Sequence, residues 1–275
     1  MTGTLGHPDE MWALAARLAD VADARKMLRV AADQARYRLQ ARAVEALWRD
    51  RRSGRWRVLA SSGPGLGTAS AALLVEPAAR DPVDDLQRTA RPLRPFGRLA
   101  GGLVVRRDDP RLRRQDAEWL GRFARVVSAD LVRRERVSWE RWSCRLYAKL
   151  AHGARPLDAI YQGLGLIARA VRADHSVTLV GPDSVGSLVI LAEKICRAGE
   201  RSPRIGRRVT SPEDLFGLPS DLPRPAHRAL VGLDREICPG ACVTVRVVSG
   251  EALDEGDLEA LTSLAHPIAA AGARI

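Results

Sequence analysis

Two stretches of the chain set out apolar and polar positions in the same order. Residues 98 to 124, RLAGGLVVRRDDPRLRRQDAEWLGRFA, and residues 243 to 265, VTVRVVSGEALDEGDLEALTSLA, each run from an apolar strand through a polar loop to an acidic residue that opens an amphipathic helix. Aligned at their acidic residues, Asp116, Glu118, Leu120, Phe123 and Ala124 lie over Asp257, Glu259, Leu261, Leu264 and Ala265. Carboxylates at the first and third positions suit a helix N-terminus, where free N–H groups and the dipole favour negative charge. The apolar residues at offsets 4, 7 and 8 make one helical face. In the second stretch Asp254 and Asp257 stand three apart, close to a capping box.

The fronts of the two halves agree as well. Residues 32 to 50, ADQARYRLQARAVEALWRD, read as a helix passing through Arg42 into an alternating strand at Val44, Ala46 and Trp48. Residues 164 to 181, LGLIARAVRADHSVTLVG, again read as a helix and then a strand from Ser176 to Val180. Each half continues with a second strand after a short turn: RWRVLA at 55 to 60, and SLVILAEKI at 187 to 195. The turns hold Gly, Ser, Pro and Asp, as hairpin turns favour. A long irregular region follows in each (61 to 90, and 197 to 225), then two more strands, near 91 to 95 and 100 to 106, and near 228 to 235 and 241 to 248. Helix, hairpin, long loop, hairpin, helix occurs twice. The pattern predicts an α+β repeat with antiparallel sheets and helices on one side.

This order of elements, the strand pair PLRPFGRLAGGLVV from Pro92 to Val105, and the following Asp-x-x-x-Leu helix resemble GAF domains. The resemblance covers nearly the whole chain, as two GAF-like units in tandem. The second unit is degenerate, with Ala241-Cys242-Val243-Thr244-Val245 in place of the usual glycine-led strand. The resemblance implies an α+β fold class: two GAF-like units, each an antiparallel sheet flanked by helices, joined by a long connecting helix. On that reading residues 1–22 are an N-terminal helical segment, 23–133 the first unit, 134–150 the connecting helix and 151–275 the second unit. The function it implies is a non-catalytic sensory or regulatory module that binds a small ligand or a partner protein. A structural dimerisation scaffold with no ligand is the alternative, as is nucleic-acid binding through the basic linker helix.

The linker carries its own signal. No Pro interrupts 111 to 155, so a helix of nearly 40 residues, about 60 Å long, is expected there. Trp119, Phe123 and Val127, and then Trp139, Trp142 and Leu146, recur along it at three- and four-residue steps. That is more apolar surface than one domain face hides, so the stripe predicts a parallel homodimer with these six residues in its interface. Residues 111 to 150 also hold eleven basic and five acidic side chains, a net +6. A solvated face pairing with Glu118, Asp130, Glu135 and Glu140 accounts for most such runs. The absence of a helix-turn-helix, zinc-finger or RNP signature makes a nucleic-acid partner the weaker expectation.

Composition narrows the rest. The chain has 275 residues, 46% of them hydrophobic, enough for two domains with cores. No window of 18 apolar residues predicts a membrane span, and MTGTLGHPDEMW lacks the apolar run of a signal peptide, so a cytoplasmic protein is expected. The net charge of +11 comes from 44 basic and 33 acidic residues. Only Lys26, Lys149 and Lys194 are lysines, a skew that points to genome composition rather than to a phosphate-gripping surface. Cys238 and Cys242 in CPGAC are one residue too far apart for a redox pair, and with Cys144 and Cys196 they read as plain thiols; His227 alone could join them on a metal. The histidines His7, His152, His175, His227 and His266 are scattered without ligand or dyad spacing. Gly63-Pro64-Gly65-Leu66-Gly67 lacks the lysine of a phosphate loop and reads as a loop at a pocket's edge. Ser61 and Ser62 lack a nucleophile-elbow context. Arg204, Arg207 and Arg208 are set to ring an anion or, more commonly, to line an exposed loop. The cyclic-nucleotide, bilin and sulfoxide-reductase signatures of GAF subtypes are missing. The expectation is therefore no catalytic residue, no metal and no cofactor, with the ligand-binding residues unassigned.

Overall fold

The computed structural model describes residues 8–50, 54–65, 75, 83–84, 88–108, 114–171, 173, 176–196, 204–210, 227–232, 241–247 and 252–272. The chain divides into two compact units, Met1–Glu135 and Arg136–Ile275. The first contains α1 (Pro8–Ala19), α2 (Ala24–Arg38), β1 (Ala43–Arg49), β2 (Trp56–Ser62), β3 (Val83–Asp84), β4 (Arg88–Leu93), β5 (Gly101–Arg106) and the start of α3 (Arg114–Ala151). The second contains the rest of α3, then α4 (Pro156–Ala170), β6 (Ser176–Pro182), β7 (Leu188–Ile195), β8 (His227–Gly232), β9 (Cys242–Val247) and α5 (Glu255–Gly272). The expected fold class holds: two separate antiparallel sheets with flanking helices, and one long helix running from the first unit into the second.

The strand orders are β2-β1-β5-β4-β3 and β7-β6-β9-β8. Apart from the two-residue β3, the sequence of pairings is the same in both sheets. The irregularities match too. In the first hairpin Ala46 pairs with Ala60 and Leu47 with Val58, leaving Leu59 as the extra residue of a bulge. In the second, Leu179 pairs with Ala192 and Val180 with Ile190, leaving Leu191. Both bulges fall after the fourth residue of the first strand, and both put a leucine in the added position.

Local sequence sets the ends of the elements. Asp23 caps α2 by accepting from the Lys26 N–H at 2.8 Å. Pro156 opens α4, where its missing N–H has no partner to lose. At α5 the Asp254 N–H bonds Asp257 Oδ2 at 3.0 Å and the Asp257 N–H bonds Asp254 Oδ1 at 2.9 Å, the reciprocal box expected from their spacing. β4 starts and ends earlier than expected, at 88 rather than 91 and at 93 rather than 95. Pro95, Phe96 and Gly97 form the reversal into β5 instead, with Phe96 and Gly97 at positive φ.

β1 differs from the alternating strand expected. Ala43 to Leu47 are all buried, because both faces are covered. Val44 and Ala46 join α1, α2 and α3 residues such as Leu18, Met27, Leu28 and Phe123 in one core; Leu47 joins Val75, Ala90 and Val104 in another on the opposite face. A strand covered on both sides reads as a continuous apolar run.

The helix α3 is continuous over 38 residues, as its composition predicted. Its stripe is already covered within the single chain. Trp119 is 1% exposed and Phe123 and Val127 are 0% exposed; all three sit in the first unit's own core, with the Trp119 and Phe123 rings stacked at 4.9 Å. Trp139 and Leu146 are 5% and 3% exposed, and Trp142 is half-buried. The Ser143 hydroxyl donates to the Ser263 carbonyl, and Leu146 Cδ1 lies 3.6 Å from where a Gly163 Cβ would stand, so this end of α3 packs with α4 and α5. The premise that the six residues need a second subunit to be covered is therefore corrected: one helix divides its stripe between two cores.

Gly101 begins β5 where a Cβ would lie 2.4 Å from the Leu47 carbonyl oxygen, a backbone atom that cannot step aside. Gly101→Ala is expected to lower stability by about 1–3 kcal/mol. Gly232→Ala, with nothing within 4 Å and no positive φ, should stay within about 0.5 kcal/mol of wild type. Urea unfolding of both variants checks the contrast.

Candidate functional sites on the covered sheet faces

Side chains alternate along a strand, so each sheet turns one face to the helices and the other away from them. In the first unit the far face carries Leu47, Val75, Ala90 and Val104, flanked by Trp56, Val58 and Leu99. Glu45 lies on the same face two residues before Leu47, opposite Ser61 on β2 and Val104 on β5, and is 2% exposed. A Cβ on Gly65 would come within 3.2 Å of Glu45 Oε1, so the glycine-rich turn passes directly over this carboxylate. Gly63 has φ +91° and would place a Cβ 2.3 Å from the Arg42 carbonyl oxygen, a position that only glycine fills. The stretch expected at a pocket's edge thus borders the covered face, although Leu66 and Gly67 lie outside the described residues. Trp48 packs on the helix side and Trp56 on the covered side.

In the second unit the position of Glu45 is taken by Thr178, opposite Glu193 on β7 and Thr244 on β9. The Thr178 hydroxyl donates to Glu193 Oε1 at 3.0 Å. Arg204 grips the same carboxylate with both arms of its fork, Nε to Oε2 at 3.1 Å and the second nitrogen to Oε1. Glu193 and Arg204 are each 3% exposed, and Thr178 and Thr244 are 0% exposed. Beside them Val180, Ile190, Val209 and Cys242 form a small apolar cluster. The same cross-strand pair therefore carries one carboxylate and one hydroxyl in both units, Glu45 with Ser61 and Glu193 with Thr178, with the two roles exchanged between strands.

Neither acid is among the site residues expected from the sequence. The signal was a glutamate inside an apolar strand, AVEALW in one half and VILAEKI in the other, since Glu is almost never fully buried without a partner. The expectation for the three arginines of SPRIGRRV also changes. Arg207 and Arg208 are exposed, but Arg204 is turned inward onto Glu193.

Of the other candidates, His152 and His266 are exposed, while His7, His175, the His227 side chain and Cys238 lie outside the described residues. Cys144 is exposed and Cys242 buried. Among the described residues no three His, Cys, Asp or Glu side chains are grouped to hold a metal ion, and no helix is long and apolar enough to cross a membrane. A surface depression of about 680 Å³ in the first unit is lined by Asp33, Arg36, Tyr37, Gln40, Ala41 and Ser62, among others.

Four of the eight arginines of α3 bond their own chain. Arg133 and Arg134 share the buried Asp130 at 2.7 and 2.5 Å, and donate to the carbonyls of Leu18 and Ala19 at the end of α1 and of Ala22 just beyond it. Such donors satisfy a helix C-terminus and complement its dipole. Arg114 pairs with Glu118, and Arg136 forks onto Glu259 at 2.5 and 2.9 Å, a hydrogen bond and charge contact that raise the Arg136 pKa above its ordinary value. Arg98 approaches Glu135 at 3.9 Å.

No protein-family model and no curated protein matches the sequence. Among solved structures the chain is similar to the GAF domain from Acinetobacter phosphoenolpyruvate-protein phosphotransferase, at 13% identity and a TM-score of 0.41, over 48% of this chain and 95% of that one. It is similar to the free methionine-R-sulfoxide reductase from Neisseria meningitidis, at 18% identity and a TM-score of 0.43, over 50% of this chain and 95% of that one. It is also similar to a bacteriophytochrome from the photosynthetic bacterium R. palustris, at 11% identity and a TM-score of 0.47, over 86% of this chain and 62% of that one. GAF domains are thus among the solved structures of similar shape. What those proteins bind or catalyse stays with them.

Removing one partner of a buried ion pair strands the other charge. Glu193→Ala is therefore expected to destabilise by about 3–5 kcal/mol, while Glu193→Leu combined with Arg204→Leu recovers most of that loss. A double-mutant cycle by urea unfolding measures the coupling; additive single effects would contradict the pairing.

Proposed function

We propose that this chain is a non-catalytic sensory or regulatory module. A small ligand or partner protein acts on the covered sheet faces, and α3 passes the response between units. The GAF resemblance of Pro92–Val105 is the starting point. The observation that carries the reading is that α3, one unbroken helix, supplies Trp119, Phe123 and Val127 to the first core and contributes the buried Leu146 and Leu150 in the second unit. A ligand favouring one arrangement of a covered face shifts the population of that arrangement. A helix of 38 residues, about 57 Å at 1.5 Å per residue, is stiff enough to carry a change at one end to the other. The buried ionisable groups of the second face bond each other rather than forming a nucleophile–base pair, which supports binding over catalysis.

The homodimer in this proposal uses the outer face of α3. Val137, Arg141, Cys144 and Ala148 recur there at steps of four, three and four, the last three exposed and Val137 half-buried. Nucleic-acid binding is the less supported reading, because five of the nine basic residues of α3, Arg114, Arg133, Arg134, Arg136 and Lys149, already bond their own chain. A phosphate contact would have to displace those bonds.

Isothermal titration of the chain against a metabolite panel is expected to give heat with a compound that also raises the thermal midpoint. Silence across the panel would leave the scaffold reading. Sedimentation at micromolar concentration should give a dimer, with Ala148→Glu giving monomers of unchanged thermal midpoint. A monomeric wild type would remove the dimer from the proposal.

A further inference from the structure

Arg204 reaches Glu193 from a short strap laid along the open edge of β7. Residues 204 to 207 form a turn, closed by the Arg207 N–H on the Arg204 carbonyl at 3.0 Å, with Gly206 at φ +80°. That geometry suits a type II turn, which requires glycine at its third residue. The strap is then fastened by backbone bonds from Gly206 N–H to the Ile190 carbonyl at 2.9 Å, from Ile190 N–H to the Arg207 carbonyl at 3.1 Å, and from Val209 N–H to the Leu188 carbonyl at 2.9 Å. Ile205, Arg207 and Arg208 stay exposed while Arg204 turns under onto the sheet.

A buried ion pair in an apolar setting rarely gains stability over well-packed apolar side chains of the same volume. Val180, Ile190, Val209 and Cys242 supply that setting here. Thr244 adds a second observation. Its hydroxyl, directly across from Thr178 and 0% exposed, has no hydrogen-bond partner among the described residues. The carboxylate that holds the planar, forked cation thus also accepts from one buried hydroxyl, and a second buried hydroxyl stands across the strand pair on the same face.

We propose that the covered face of the second unit is a guanidinium-binding site that Arg204 fills as a tethered ligand. A free guanidinium compound replaces it by releasing the 204–209 strap. This rests on reading the covered faces as ligand sites, and it adds a ligand class and a closed resting state. A tethered side chain competes at an effective concentration in the millimolar range, so the free ligand acts on wild type only at millimolar levels or through further contacts of its own.

Agmatine is the probe, and putrescine, which keeps an ammonium but lacks the fork, is the control. In the wild-type chain the Gly206 and Val209 amides are expected to exchange with deuterium at least tenfold faster in saturating agmatine and at unchanged rates in putrescine. Arg204→Ala should bind agmatine at least tenfold more tightly than wild type, with a rise in thermal midpoint, and Glu193→Gln in the same background should abolish the response. Unchanged strap exchange in wild type overturns the proposal even if Arg204→Ala does not fold. Equal effects of putrescine and agmatine overturn it as well. If the metabolite panel yields a ligand while agmatine does nothing, the ligand-site reading stands and the guanidinium assignment falls.

Discussion

The structure depends on one helix having to bury apolar surface in two places. At 100° per residue, Trp139 lies about 160° around α3 from Phe123, and Leu146 about 140°. The buried residues of the first half and those of the second therefore occupy different faces of the helix. Each face is long enough for one core, with Trp119, Leu120, Phe123, Val127 and Leu131 in one and Trp139, Leu146 and Leu150 on the other. Because of this rotation the six aromatic and aliphatic positions do not line up along one side of the helix. Spacing by threes and fours holds within each half but not across the join, where Val132 to Ser138 are partly or fully exposed. The charged residues follow from the same constraint. Arg133 and Arg134 leave the stripe to cap the end of α1, and Arg136 leaves it to meet Glu259 on α5.

Much of the fold was legible because its signals are local. The hairpin turns, the strand runs and the Asp254–Asp257 box depend on residues a few positions apart, and every strand but the two-residue β3, which lies in a region expected to be irregular, formed within a few residues of its expected place. What the sequence did not reveal depends on contacts between distant residues. Burial of both faces of β1 needs Val75 to cover it, and nothing in AVEALWR announces that cover. The bulges at Leu59 and Leu191 are registers, visible only once two strands are paired. The buried acids were half legible: a glutamate in an apolar run signals a site, but its partner cannot be chosen from the sequence among so many arginines.

The two covered faces also differ in a way that the glycine positions explain. Gly102 on β5 and Cys242 on β9 are equivalent, since they pair with Leu47 and Val180 at the same step of the two first strands. At Gly102 a Cβ would lie 2.5 Å from Val75 Cγ2, so the covering residue of the first unit occupies the space a side chain would need. Cys242 fills the equivalent space from the strand itself and is 2% exposed. A covering residue cannot come as close to the backbone there. The described cover of the second unit instead lies at the edge of β7, sends Val209 into the cluster from the side, and reaches the middle of the face only through the long side chain of Arg204. A side chain at Cys242 in place of the glycine at 102 thus has a structural consequence. It changes which atoms can cover the face, and an arginine long enough to span the gap brings with it the need for a carboxylate beneath.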